Sequence, residues 1–132
     1  MRVYLDAAPV IHTVEQIPLY AAAVDARLSA HGVVRVASDL TRMECRVKPL
    51  REGNAELLKD FDDYFEGAVA EIVALSREVI DRATEIRAQY GFKTPDAIHL
   101  AAAVASGCDV FLTNDHRLDR FTYIIIEVVQ PA

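Results

Sequence analysis

Four acidic residues stand where a folded α/β chain could gather them into one site: Asp6, Glu44, Asp96 and Asp115. Asp6 closes the apolar run Val3-Tyr4-Leu5, and Asp115 follows Val110-Phe111-Leu112 by way of Thr113-Asn114. Short β-rich runs closed by a turn read as buried strands. In an open parallel sheet the carboxyl ends of the strands form the edge where ligands bind. Glu44 falls on the stripe Leu40, Met43 and Val47 of a predicted helix, with Arg42 and Arg46 on the opposite face. A glutamate on a core-facing stripe is costly unless it is paired or metal-bound. Asp96 lies in the first turn of a helix opened by Thr94 as cap and Pro95 as first residue. The rest of that helix, Ala97 to Ser106, is apolar nearly all round and is expected to be buried.

Each acid also has a plainer role. Asp6 can cap the turn at Ala8-Pro9, and Asp115 the turn that follows it. Glu44 can pair with a nearby arginine. Asp96 gains about 0.3–1 kcal/mol from the helix dipole alone. Together the four present a different problem. At about 4 Å and an effective dielectric near 20, each pair of carboxylates repels by roughly 4 kcal/mol. Such a cluster needs protons or a hard cation, and oxygen ligands select Mg²⁺ or Mn²⁺. An open ligand set also requires that no arginine fork lock the carboxylates, and it makes Asp115→Asn a stabilising change in the metal-free protein. Zinc has no match: His12, His31, His99 and His116 are scattered, and Cys45 and Cys108 form no C-x-x-C pair. His99, three residues after Asp96, reads as a packed core histidine. Thr113 and Asn114 can orient Asp115 or a water, and Asp119 reads as a solvated surface acid.

The elements that must position these residues follow from pattern. Strands are predicted at 1–5, 33–37, 70–75, 110–112 and 123–129. A short helical turn at Pro9 and helices at 17–31, 38–48, 54–66, from 76 to a Gly91 cap, and 94–106 lie between them, with a last helical turn at 115–121. Pro49 is expected to bend or end the third of these. Strands alternating with helices give an α/β fold, a three-layer αβα sandwich with a mostly parallel sheet of four to five strands. At 132 residues and 52% hydrophobic, the chain is expected to be one domain with a real core. The net charge of −6 excludes nucleic-acid binding by sheer positive field, although Arg42, Arg46, Lys48 and Arg51 form a local basic run. No apolar run approaches membrane-spanning length, the early Asp6 argues against a secretory leader, and both thiols read as small buried hydrophobes. A reduced, cytoplasmic protein is expected. Phosphate-binding and nucleophile-elbow motifs are missing. A D-x-D phosphotransferase is excluded by Ala8, and a receiver domain by the lack of a late lysine.

The segments V-Y-L-D, L-T-R-M-E-C-R-V-K-P-L, K-T-P-D-A-I-H-L-A-A-A and V-F-L-T-N-D together resemble the PIN-domain ribonucleases, in particular the toxins of VapBC-type toxin–antitoxin pairs. The resemblance spans the chain and implies that Asp6, Glu44, Asp96 and Asp115 are the metal-binding catalytic quartet. It further implies one or two Mg²⁺ or Mn²⁺ ions, cleavage of RNA leaving a 5′-phosphate, a homodimer, and silencing by a small antitoxin. Family members commonly carry Ser, Thr or Asn shortly after the first aspartate, whereas this chain has Ala7-Ala8. That departure favours an alternative, a catalytically weak RNA- or antitoxin-binding module of the same fold.

Overall fold

The computed structural model describes residues 1–132. Five strands build one parallel sheet: β1 (Arg2–Leu5), β2 (Val34–Ser38), β3 (Glu71–Val73), β4 (Val110–Thr113) and β5 (Ile125–Val128), in the order β3-β2-β1-β4-β5. The chain leaves β1 in one direction along the sheet and resumes on its other side at β4. This is the switch point at which open parallel sheets bind ligands, and Asp6 ends one of its strands.

Period-two alternation assigns the central strands to two cores. Tyr4, Val36 and Phe111 point to one face, where α5 (Arg77–Tyr90) and α6 (Thr94–Ala105) cover them with Val79, Ile86, Leu100 and the small Ala101 to Ala103. Val3, Leu5, Ala37 and Leu112 point to the other. There α1 (Ala7–Val14), α2 (Tyr20–Leu28), α3 (Asp39–Arg51) and α4 (Ala55–Gly67) supply Val10, Val24, Cys45, Phe61 and Phe65. Both faces of β1 are therefore dry, as expected of a buried parallel strand. The expected αβα sandwich is present. No helix is long and apolar enough to cross a membrane.

Several expected boundaries shift for identifiable reasons. The turn at Pro9 is a full helix, because a proline in the first turn forfeits no intrahelical bond. The next helix begins at Tyr20 rather than Ile17, since Gln16 (φ 54°) and Leu19 (φ 70°) adopt left-handed backbone around Pro18. Pro49 does not end α3, which runs on to Arg51. Thr94 is the first residue of α6, with Lys93 as its cap. Strands β3 and β5 are shorter than expected, at Glu71–Val73 and Ile125–Val128. The largest correction concerns α3: Met43 (56% exposed) and Val47 (48%) face outward, and the buried stripe is Leu40, Thr41, Cys45 and Pro49. Three of the four cations in the basic run on this helix are paired, Arg42 and Arg46 with Asp62 and Lys48 with Glu15, which leaves Arg51 without an acidic partner. Cys45 is buried as expected, and Cys108 only partly so.

Phe111 is fully buried and stacks on Tyr4 at 5.1 Å between ring centroids. Phe111→Ala is expected to cost roughly 3–5 kcal/mol in urea unfolding; a loss under about 1 kcal/mol would show that this core is not closely packed.

Candidate metal centre

Asp6 leaves β1 and caps α1, its Oδ1 accepting from the Ala7 N–H at 2.8 Å. Its other oxygen accepts from the Thr113 hydroxyl, also at 2.8 Å, and that same hydroxyl oxygen accepts the Asp115 N–H at 3.0 Å. Thr113 is thus a buried clasp between the ends of the two central strands. It supplies Asp6 with the hydroxyl partner that Ala7-Ala8 lack.

Glu44 enters from α3, on the flank of the buried stripe. Its Oε1 lies 2.5 Å from His99 Nε2, and Asp6 Oδ1 lies 3.5 Å from the same nitrogen. These three residues form a compact group whose ligand atoms all lie within 4.8 Å of one another. On its far side the His99 ring meets the Tyr4 hydroxyl through Nδ1 at 2.7 Å. The Tyr4 oxygen is 2.7 Å from Ser38 Oγ and 3.3 Å from Thr41 Oγ1. Ser38 caps α3 in a capping box with Thr41, whose hydroxyl donates to the Leu5 carbonyl at 3.1 Å. A buried polar chain therefore runs from the α3 cap through Tyr4 and His99 to Glu44 and Asp6. Burial also pushes the Tyr4 phenol well above its usual range, so it acts as a neutral hydrogen-bonding group.

Asp96, in the first turn of α6, is half-buried and takes part in none of the ion pairs. Desolvation pushes its carboxyl up from the ordinary value, and the charges of Asp6 and then Asp115 push it further. Asp115 is pulled the other way, first by the side chain of Arg117. That guanidinium holds both carboxylate oxygens, with Nη2 at 2.6 Å from Oδ2 and Nε at 2.9 Å from Oδ1. The Arg117 N–H also donates to Oδ1 at 3.0 Å, so the capping role foreseen for Asp115 is real.

The structure thus brings Asp6 and Glu44 together, and places Asp96 in the field of Asp6 and Asp115. Two expectations need correction. His99 is buried as expected, yet it is also the partner that organises Glu44 and Asp6. Asp115 carries the arginine fork that an open ligand set was expected to lack. Asp96, not Asp115, carries the raised carboxyl, through desolvation first and like charge second, so the stabilising substitution is expected there instead. The Arg117 side chain is 66% exposed and pairs only with this neighbour two residues away, so water can replace it at small cost. An oxygen-rich cluster with one half-buried carboxylate lacking an ion-pair partner fits a hard divalent cation.

A family model described as PIN domain matches residues 3–122. No curated protein matches by sequence. A chain of the VapBC2 complex of Rickettsia felis, bound to a promoter DNA fragment, superposes with a TM-score of 0.82 at 17% identity, covering 98% of this chain and 100% of that one. A toxin–antitoxin complex from Klebsiella pneumoniae gives 0.75 at 18% identity over 93% and 95% of the two chains. VapC20 of Mycobacterium tuberculosis, a toxin that cleaves the sarcin-ricin loop, gives 0.73 at 11% identity over 93% and 98%.

The opposite shifts of the two aspartates give opposite mutational signs. A carboxyl raised on folding subtracts stability once pH exceeds its ordinary value of 3.8, while a lowered one adds stability that disappears as pH falls through its folded value. In chelator at neutral pH, Asp96→Asn is expected to raise the melting temperature by a few degrees and Asp115→Asn to lower it. Both differences are expected to shrink in acid, and equal shifts of one sign in thermal melts would contradict the charge assignment.

Proposed function

The chain belongs to the PIN-domain family, and on that premise we propose that it is a divalent-metal-dependent endoribonuclease, the toxin of a toxin–antitoxin pair. Asp6, Glu44, Asp96 and Asp115 are the residues proposed to hold Mg²⁺ or Mn²⁺. The observation that carries this reading is Asp96: a half-buried carboxylate without an ion-pair partner, charged against Asp6 and Asp115 at the switch point of the sheet.

Asp6, Glu44, Asp96 and Asp115 would hold the divalent ion, whose chemistry there would be charge neutralisation for the phosphate and a lowered pKa for the attacking water. The chain's own part is positional. Thr113 fixes the Asp6 carboxylate by hydrogen bonding to one oxygen, and the Ala7 N–H holds the other. His99, braced by Tyr4, holds Glu44 in place and keeps its oxygen toward Asp6. Metal-assisted hydrolysis needs no side-chain nucleophile, and water is the proposed attacking group. The proposed setting is cytoplasmic. The antitoxin partner is proposed by likeness to the VapBC and toxin–antitoxin assemblies, and the homodimer and RNA substrate rest on the resemblance of the four motifs to the PIN-domain ribonucleases.

Millimolar Mn²⁺ is expected to raise the melting temperature of the wild type and to switch on cleavage of single-stranded and structured RNA. Asp6→Asn is expected to abolish cleavage while the fold persists by circular dichroism. RNA binding without cleavage in Mn²⁺ would instead identify the weak binding module, and an unchanged melting midpoint across a Mn²⁺ titration would remove the metal site.

A further inference from the structure

Most cations of this acidic chain are engaged. Of its 14 lysines and arginines, eight form ion pairs with acids. Two that do not, Lys93 and Arg120, converge with Arg117 on one open cavity of about 330 Å³, whose wall also includes Asp96. The volume falls at the lower end of small-ligand sites, which span about 300–1,000 Å³. Arg120 is held there by aromatics: its guanidinium carbon sits 4.1 Å from the Phe92 ring centroid and 5.9 Å from that of Tyr90. The Phe92 ring, 5% exposed, is itself fixed against Tyr90 and Phe121. A guanidinium stacked on a rigid ring keeps its N–H donors at the edge for another partner. Lys93 caps α6 by position only, without a side-chain capping bond, and Arg87 donates to Thr94 just beyond it. Positive charge thus gathers around the start of α6, directly beside the acidic cluster.

We propose that this cavity is a backbone-phosphate subsite, in which Lys93 and Arg120 hold a phosphate of the RNA strand next to the one being cut. The inference rests on the ribonuclease reading. A strand approaching four carboxylates is repelled unless cations receive it close by, and a chain of net charge −6 offers few unpaired ones. The cavity and the acidic cluster share Asp96 as a wall, so an occupant must satisfy cations and carboxylates side by side. A strand with phosphates at regular spacing does both, one phosphate among the cations and the next at the metal. A peptide carboxylate satisfies only the cations and meets Asp96 as a like charge. Lys93 and Arg120 are positioning residues in this scheme, since neither reaches the reacting phosphate.

The test is binding of a short fluorescent single-stranded RNA in EDTA, where no metal-dependent cleavage runs, followed by anisotropy across a salt series. Lys93→Gln/Arg120→Gln is expected to weaken binding and to flatten the slope of log K against log salt by about 0.7, the change for one phosphate no longer neutralised. Lys93→Gln alone, at an exposed position that packing does not use, is expected to give half that change. Arg51→Gln, at the far end of α3, is expected to leave the slope unaltered. In Mn²⁺ the double variant is expected to raise KM for cleavage with little change in kcat. Unchanged slopes, or an equal loss in Arg51→Gln, overturn the subsite even if the wild type cleaves RNA. Loss of affinity for a polyglutamate peptide but not for RNA also overturns it, in favour of an acidic-peptide site. Cation-dependent binding with no cleavage in Mn²⁺ would leave the subsite standing and sink the nuclease reading.

Discussion

Mutual repulsion among carboxylates at the carboxyl edge of the sheet is the constraint around which the rest of the molecule is arranged. Three of the four acids have borrowed partners. Asp6 takes the Ala7 N–H and the Thr113 hydroxyl, Glu44 takes His99, and Asp115 takes Arg117. Asp96 takes no ion-pair partner, and desolvation, then the charges of Asp6 and Asp115, raise its carboxyl. Each borrowed partner is an uncharged donor, a histidine or an exposed arginine, and none adds a buried fixed charge. Stability and ligand affinity therefore pull in opposite directions at this edge, as they do wherever a site is strained for use.

The scaffold enforces that proximity from the core outward. Tyr4 belongs to the central strand, stacks on Phe111, and sends its hydroxyl to His99, Ser38 and Thr41. One side chain thereby ties β1, α3 and α6 into a single polar chain inside an apolar core. Networks of this kind are stable only when every member is satisfied, which fixes the rotamers of His99 and Glu44 together. The basic cavity beside Asp96 completes the picture electrostatically: most of the chain's cations are neutralised by acids, whereas Lys93 and Arg120 stand without acidic partners there.

The strands and their terminal acids were legible in the sequence because short β-rich runs and the residues that end them carry a strong local signal. The face of α3 was not. Its buried stripe contains Thr41, Cys45 and Pro49, small or polar residues that a hydrophobic pattern passes over, while Met43 and Val47 lie outward. Thr41 is inside because its hydroxyl finds the Leu5 carbonyl, a tertiary contact with no sequence signature. His99 was hidden differently: α6 is buried on nearly every side, so no face marks one of its residues as special. Its spacing of three from Asp96 was the only available sign. The left-handed residues Gln16 and Leu19, which delay α2, are neither glycine nor asparagine and so gave no warning. The Arg117 fork escaped because a partner two residues away lies on no helical face.

The most direct test of the account is a crystal structure grown in Mn²⁺, with anomalous scattering used to locate the ion. The account predicts a peak in direct contact with the carboxylates of Asp6 and Asp96, and Arg117 displaced from Asp115. A map with no peak at this edge, or with Arg117 still clasping Asp115 and the ion bound elsewhere, would contradict it.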